Sequence, residues 1–170
     1  DTPDAVARLC ALKGRASSQP AAVMFFDTGL LLAALPEAGP RTRAALGALL
    51  PGAVTVLVPN PAARFPLACG QDPGTLGVRV PALSGPLAPL AAVRWPVLQS
   101  SANRHGGPDA CRLADVPAEI RDGCDLVLDG GELPGTPSTV VDLRSHEDDG
   151  RWAVLRAGAV PAERIAAALR

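Results

Sequence analysis

Two basic residues stand close together near the start of the sequence, in the stretch Lys13-Gly14-Arg15. Lysine offers a compact positive charge and arginine a planar fork of donors, a combination that suits phosphate or carboxylate. The two cations also follow a predicted helix, whose negative C-terminal pole they would complement. On spacing alone, this helix-end interpretation is favoured over an anion site.

Two further arginines, Arg79 and Arg156, lie within apolar strand-like segments. Burying an arginine is costly unless it has a carboxylate, a ligand or an edge position. Two such residues in one chain favour an anionic ligand. Salt bridges to Asp129, Asp142 or Glu132 are the structural alternative.

Small polar residues follow a predicted strand and a glycine- and proline-rich loop. Ser101-Ala102-Asn103 comes directly after a predicted strand, and Ser138 follows a glycine- and proline-rich loop at residues 130–137. Ligands of α/β sheets lie beyond the carboxyl ends of strands, where Ser and Asn offer uncharged donors and acceptors. Taken alone, the first segment is more typical of a turn, and the loop could equally be a plain surface loop. The loop matches neither a P-loop nor a dinucleotide fingerprint.

Several other chemistries have little support. The only histidines, His105 and His146, are too few for a multi-histidine metal site, and we expect His146 to be solvated in its acidic turn. The sequence contains no GxSxG and no HExxH motif, which argues against a hydrolase triad and a zinc protease. We therefore assign no catalytic nucleophile and no metal ligand.

Composition describes a folded globular chain. Hydrophobic residues make up 48% of the 170 positions and charged residues 19%, so we expect one domain over residues 1–170. The net charge of -1 disfavours binding of nucleic acid through an overall basic surface, although a local basic groove stays open. The longest apolar stretch, residues 30–35, is too short to span a bilayer. Four scattered cysteines without a CxxC pair favour reduced, mostly buried thiols and a cytoplasmic protein.

The elements that must position these residues alternate along the chain. Helices are predicted from capping and periodicity at residues 2–13, 41–50, 84–93, 117–121 and 162–169. Strands are predicted from short apolar, β-branched runs at residues 23–26, 54–58, 76–80, 96–100, 125–128, 138–143 and 152–155. The pattern predicts an α/β (α+β) fold, with a twisted mixed β-sheet flanked by helices.

Six short blocks occur in a fixed order along the chain. They are residues 13–15, 51–57, 75–81, 101–103, 134–142 and 155–158. From Asp4 to the C-terminus their order resembles the YrdC-type L-threonylcarbamoyladenylate synthase family. The resemblance implies a YrdC-like fold with an electropositive concave surface.

The same resemblance implies an enzyme, a nucleotidyltransferase that combines L-threonine, bicarbonate and ATP with Mg²⁺ into threonylcarbamoyl-AMP and pyrophosphate. In that reaction the threonine amine captures CO2, and the carbamate attacks the α-phosphate of ATP. Such a transfer needs positioning and charge stabilisation more than a protein nucleophile. The product serves tRNA threonylcarbamoyladenosine modification, so tRNA or a tRNA-modification complex is the implied partner.

The resemblance also implies which residues form the site. The positions that match ATP or phosphate contacts are Lys13, Arg15, Thr75, Ser101, Asn103 and Arg156. Those that match threonine contacts are Arg79 and Ser138, whereas Thr55 is expected to be structural.

One family feature is not found, and two alternatives stay open. Family members carry a Thr-Asp-Thr segment before the first helix, and Asp1-Thr2-Pro3 is not that motif, so we expect a domain that is incomplete at its N-terminal side. One alternative is a non-catalytic YrdC-like module that binds RNA, tRNA or a nucleotide. Net charge and 3% aromatic content argue against broad or stacking-based RNA binding. The other alternative, a carbamoyl-transfer domain, needs extra domains that are not in this sequence.

Overall fold

A computed structural model describes residues 2–170 and contains one six-stranded sheet. The strands are β1 (Ala22–Met24), β2 (Val54–Pro59), β3 (Thr75–Arg79), β4 (Val97–Gln99), β5 (Thr139–Asp142) and β6 (Ala153–Arg156). Their order across the sheet is β4-β1-β3-β2-β5-β6. The mixture of strands and helices confirms the predicted fold class.

Strand pairing in this sheet is mixed. β1 runs parallel to β3 and β2 runs parallel to β5, whereas the pairs β1–β4, β2–β3 and β5–β6 are antiparallel. Val56 of β2 lies opposite Val78 on one side and Val141 on the other. The centre of the sheet is therefore built from β-branched residues, as the sequence predicts.

Within residues 2–170, six α-helices accompany the sheet. They are α1 (Pro3–Lys13), α2 (Thr28–Ala34), α3 (Pro40–Leu49), α4 (Ala118–Asp122), α5 (His146–Asp149) and α6 (Ala162–Ala168). In α1, the hydroxyl of Thr2 accepts from the Ala5 N–H at 3.3 Å, and Gly14 ends the helix with φ 62°. This is the predicted capping pattern. Short 3-10 helices occupy residues 66–68, 85–92 and 113–115.

The hydrophobic core lies on one face of the sheet. It joins side chains of β1, β2, β3 and β5 to those of α2, α3 and α6. Leu31, Leu46 and Leu76 are fully buried within it, and the rings of Phe25 and Phe65 meet edge to face at 5.9 Å. With so few aromatic residues, leucine and valine supply most of the packing.

Two local predictions are wrong. Residues 125–128 form no strand, and Leu126 is 72% exposed. This segment is instead tied to α1 by an ion pair between Arg8 and Asp125 at 2.7 Å. His146 is buried and not solvated. It is the first residue of α5, and its Nδ1 lies 3.0 Å from the Gly150 carbonyl oxygen at the other end of that helix.

No helix within residues 2–170 is both long and apolar enough to cross a membrane. All four cysteines are free thiols. Cys10 and Cys69 are buried, and burial raises the pKa of the Cys69 thiol. Cys124 is exposed, so the expectation of mostly buried thiols holds for only part of the set.

Candidate functional site

A cavity of about 920 Å³ lies on the face of the sheet that is turned away from the core. Side chains alternate between the two faces of a strand. On β2, Val54, Val56 and Val58 enter the core, and Thr55 and Leu57 line the cavity. The same alternation holds on the neighbouring strands. The cavity-lining positions there are Thr75, Gly77 and Arg79 of β3, Val140 of β5, and Ser138, which directly precedes β5.

Loops complete the walls of the cavity. The further lining residues are 20–22, 68–69, 72, 99–102, 109–110 and 133–138, together with Arg15, Arg144 and, from β6, Arg156. A volume of this size is at the upper end of what small-molecule sites commonly offer. It can hold a nucleotide together with a second small substrate.

Six of the eight residues predicted for the site line this cavity. They are Arg15, Thr75, Arg79, Ser101, Ser138 and Arg156. The structure places the other two, Lys13 and Asn103, behind the cavity wall, where each is less than 10% exposed. Residues separated by more than a hundred positions are thus brought to one cavity.

Arg79 is a cation without a carboxylate partner in the described chain. Its Nη1 donates to Gln99 Oε1 at 3.2 Å, and its Nε is buried with no hydrogen-bond partner within residues 2–170. Burial lowers the pKa of Arg79, and the positive charge of Arg156 lowers it further. Arginine still keeps its proton. A charged fork with an unpaired buried donor is suited to an anion that enters the cavity.

Arg156 faces the same space from β6. Its Nη2 donates to the main-chain oxygen of Ser138 at 2.8 Å and to the Ser138 hydroxyl at 3.2 Å. Ser138 Oγ also lies 2.9 Å from Thr55 Oγ1. A chain of polar contacts therefore runs from β2 through the start of β5 to β6. It holds a hydroxyl and a guanidinium side by side at the cavity surface.

Thr55 is the cavity residue that sequence reasoning assigned to the framework. The strand pattern carried a signal for it, since Thr55 stands between two valines that both point to the core. A polar residue at the alternate position of a buried strand faces the opposite side of the sheet. There its hydroxyl positions Ser138 rather than packing among apolar groups.

The carboxylates that could have neutralised the strand arginines are used elsewhere. Asp142 pairs with Arg144 at 2.7 Å, and Glu132 pairs with Arg112 at 2.8 Å. The Asp129 carboxylate accepts from the main-chain N–H of Gly131. The alternative in which these acids neutralise Arg79 and Arg156 is therefore wrong, and the expectation of an anionic ligand gains support.

Arg15 adds a third unpaired cation. Its Nη2 donates to the Gln19 carbonyl at 3.2 Å, and its Nε is buried without a hydrogen-bond partner within residues 2–170. Two carboxylates, Asp72 and Asp109, line the cavity. Arg15 forms an ion pair with neither of them. The cavity thus carries an excess of positive charge although the chain as a whole does not.

Lys13 does not reach the cavity, because its ammonium is enclosed by the segment 101–103. Its Nζ donates to the Ser101 carbonyl at 2.5 Å, to the Asn103 carbonyl at 2.7 Å and to Asn103 Oδ1 at 3.0 Å. Burial lowers the pKa of Lys13, and the nearby Arg15 lowers it further, while Asp109 acts in the opposite direction. An ammonium has three protons to donate, and all three have acceptors here.

Asn103 is likewise occupied by contacts within the protein. Its Oδ1 accepts from Ser101 Oγ at 2.6 Å as well as from Lys13. Its Nδ2 donates to the Gly107 and Pro108 carbonyls. Asn103 therefore shapes the segment that lines the cavity and has little capacity left for a ligand.

Residues 2–170 contain no group of three His, Cys, Asp or Glu side chains that could hold a metal ion. Two carboxylates, Asp72 and Asp109, lie on the cavity wall, a number with which magnesium is bound only together with the phosphates of a substrate. The residues do not fit a resident metal, and a magnesium ion would have to be carried into the cavity by a phosphate-bearing substrate.

Comparison with known proteins gives the family. Residues 1–158 match the model of the Sua5/YciO/YrdC family, which carries the description "Telomere recombination". The match covers most of the chain. The chain therefore belongs to the Sua5/YciO/YrdC family.

Two curated relatives are both named threonylcarbamoyl-AMP synthase. The protein from Chromohalobacter salexigens is 38% identical over 151 residues, which cover 86% of this chain and 79% of the relative. The protein from Bacillus subtilis is 30% identical over an aligned length of 172, and the alignment covers 98% of this chain and 47% of the relative. The chain thus spans about half the length of the second relative.

A solved structure supports the fold independently. The crystal structure of P. abyssi Sua5 complexed with L-threonine superposes with a TM-score of 0.79 at 25% identity. The superposition covers 98% of this chain and 48% of the P. abyssi chain. The fold of that protein's matched half is therefore present here.

Proposed function

We propose that this chain is an L-threonylcarbamoyl-AMP synthase, organised as one YrdC-like domain. It would join L-threonine, bicarbonate and ATP into threonylcarbamoyl-AMP and release pyrophosphate. The observation that carries the proposal is the set of three arginines around one cavity that have no carboxylate partner within residues 2–170, namely Arg15, Arg79 and Arg156. The names of the two curated relatives support the same reaction.

The proposed site divides the two substrates between its walls. Arg15 and Arg156, with Thr75 and Ser101, would hold the phosphates and the nucleotide, because all four residues line the cavity. Arg79 and Ser138 would hold threonine. The unpaired Nε of Arg79 and its fork match the two oxygens of a carboxylate. The P. abyssi relative, solved with L-threonine, supports threonine as the amino acid.

The chemistry suits a site of fixed charges. The threonine amine would react with bicarbonate to form a carbamate and water. A carbamate oxygen would then attack the α-phosphorus of ATP, the bond to the β-phosphate oxygen would break, and pyrophosphate would leave. Negative charge gathers on the transferring phosphoryl group, and nearby guanidinium groups stabilise it. Magnesium enters as part of the MgATP substrate.

The proposed product serves tRNA threonylcarbamoyladenosine modification in the cytoplasm, with tRNA or a tRNA-modification complex as the downstream partner. A non-catalytic module of the same fold is the alternative. It would bind tRNA in a salt-sensitive manner without consuming ATP. A turnover assay separates the two functions.

The test is pyrophosphate release measured with all three substrates and with each one omitted in turn. We expect release that requires both threonine and bicarbonate. Arg156→Gln should lower kcat/KM about 100-fold, since donors to developing charge contribute roughly 10²–10³. Arg151→Gln is the matched control, because Arg151 forms an exposed surface pair with Asp149. Pyrophosphate release that ignores threonine would disprove the proposal.

A further inference from the structure

The buried ammonium group of Lys13 donates hydrogen bonds to the main chain at residues 101–103. The carbonyl oxygens of Ser101 and Asn103 both point at Lys13 Nζ, at 2.5 and 2.7 Å. Lys13 is 5% exposed and does not line the cavity. Ser101 and Ala102 do line it. The segment therefore lies between the buried Lys13 ammonium and the cavity.

The peptide bond between Ser101 and Ala102 fixes the direction of an N–H group. The bond is trans, and in a trans peptide the carbonyl and the N–H point in opposite directions. Because the Ser101 carbonyl points at Lys13, the Ala102 N–H points away from Lys13, and Ala102 itself lines the cavity. No group within residues 2–170 accepts a hydrogen bond from that N–H.

We propose that the main-chain N–H of Ala102 is an anion-binding donor of the site and that Lys13 is the residue that positions it. The inference rests on the proposed function, in which this cavity receives phosphate groups. Main-chain N–H groups with fixed directions are effective donors to phosphate and to developing negative charge. Lys13 acts through the peptide, because its ammonium withdraws electron density from the Ser101 carbonyl and strengthens the N–H on the other end.

This arrangement explains why a lysine in a phosphate-binding segment is buried. A lysine that bound a phosphate directly would need a free N–H, and all three protons of Lys13 have acceptors in the protein. Asn103 Oδ1 and the hydroxyl of Ser101 complete the enclosure at 2.6 Å from each other. Lys13 is thus a positioning residue, and Arg15 is the member of the pair that lines the cavity.

The direct test follows the Ala102 amide by NMR in the unaltered, isotope-labelled chain during titration with inorganic pyrophosphate. We expect its proton resonance to move downfield and to saturate together with those of the other cavity residues. In Lys13→Met, which keeps the length of the side chain and removes the charge, the Ala102 shift should be lost. Pyrophosphate should then bind about tenfold more weakly, as for a lost hydrogen bond to a charged group. An Ala102 amide that stays unmoved while other residues saturate overturns the proposal, and so does the absence of any saturable shift.

A double-mutant cycle distinguishes positioning from direct contact. Ala102→Pro removes the N–H, and Ala102→Gly retains it as the matched control. If Lys13 acts through this N–H, Lys13→Met should weaken pyrophosphate binding in the Gly variant and change it less than twofold in the Pro variant. Equal losses in both backgrounds would mean that Lys13 makes its own contact, which overturns the positioning role. Should the Pro variant fail to fold, the titration of the unaltered chain still decides.

The two proposals fail separately. A chain whose Ala102 amide responds to pyrophosphate but which releases none from ATP would refute the synthase function and keep the donor. Threonine-dependent release of pyrophosphate from ATP, together with an Ala102 amide resonance that does not shift, would support the synthase function and refute the role of the Ala102 N–H as a donor.

Discussion

Replacing Arg79 by methionine should make the empty protein more stable and the ligand-bound protein less stable. Arg79 is enclosed beside Arg156, has no carboxylate partner in residues 2–170, and leaves its Nε unpaired. Methionine retains much of the apolar stem and removes the charge. The Arg79 side chain therefore lowers the stability of the ligand-free protein, and an anionic ligand offsets this loss.

The size of the effect follows from the contacts. Relief of a buried unpaired polar group gains about 1–3 kcal/mol, and loss of the single side-chain bond to Gln99 costs about 1 kcal/mol. The net gain of about 1 kcal/mol should raise Tm by about 2–4 °C in a chain of this size. At a ligand concentration 100-fold above Kd, ligand binding adds about 2.7 kcal/mol to the free energy of unfolding of the unaltered protein. The variant should largely lose this added stability.

The assay is thermal unfolding followed by circular dichroism, with and without saturating L-threonine and ATP. We expect the order of stability to reverse: Arg79→Met is higher without ligands and lower with them. Arg144→Met is the control, because Arg144 lines the same cavity but is paired with Asp142 at 2.7 Å. Its removal should not raise Tm. A lower Tm for empty Arg79→Met, or an unchanged response to ligands, would refute the reasoning.

Two further predictions concern the framework. Glu147 accepts from the Thr42 N–H at 2.8 Å at the start of α3, which holds its carboxyl pKa below the ordinary 4.5. Its stabilising contribution is therefore complete above pH 4.5 and is lost as the pH falls through the lower folded value. The Tm difference between the normal protein and Glu147→Gln should vanish in acid, and a difference that persists there would contradict this. Gly158→Ala would place a Cβ 2.5 Å from the main-chain carbon of Ser138, so it should cost about 1–3 kcal/mol in urea unfolding and slow pyrophosphate release. Gly47→Ala, in an open helical position, should instead gain about 0.5–1 kcal/mol, and equal effects of the two changes would speak against the close approach.

Local signals in the sequence were sufficient for most of the fold. α1 is capped by Thr2 and ended by Gly14 as predicted, and the central strands are where the β-branched runs stand. α2 was not predicted, although Asp27 before an apolar run is a capping signal, and its carboxylate accepts from Leu30 N–H at 3.0 Å. The run at residues 125–128 is apolar without being a strand. Periodicity reports which residues avoid water and not which partner strand is available to them.

The site was predictable as a set of residue types and not as a geometry. Arginines within apolar strands indicate an anion because their burial needs a partner. The sequence alone did not show that Asp142 would pair with Arg144, two residues further on, and leave Arg79 free, since that contact depends on the local turn after β5. Nor could it show that Lys13 would lie behind Ser101, because the two residues are 88 positions apart and meet only in the folded chain.

The pairing of β2 with β5 has a consequence for biosynthesis. The hydroxyls of Thr55, on β2, and Ser138, directly before β5, meet across 83 positions, and β2 and β5 are parallel neighbours. A chain emerging from the ribosome therefore exposes one edge of β2 until residues 139–142 are made. Contacts of such long range slow folding, and an open strand edge favours association between nascent chains. Protection of the nascent chain by a chaperone would matter most during synthesis of residues 60–139, before the substrate cavity exists.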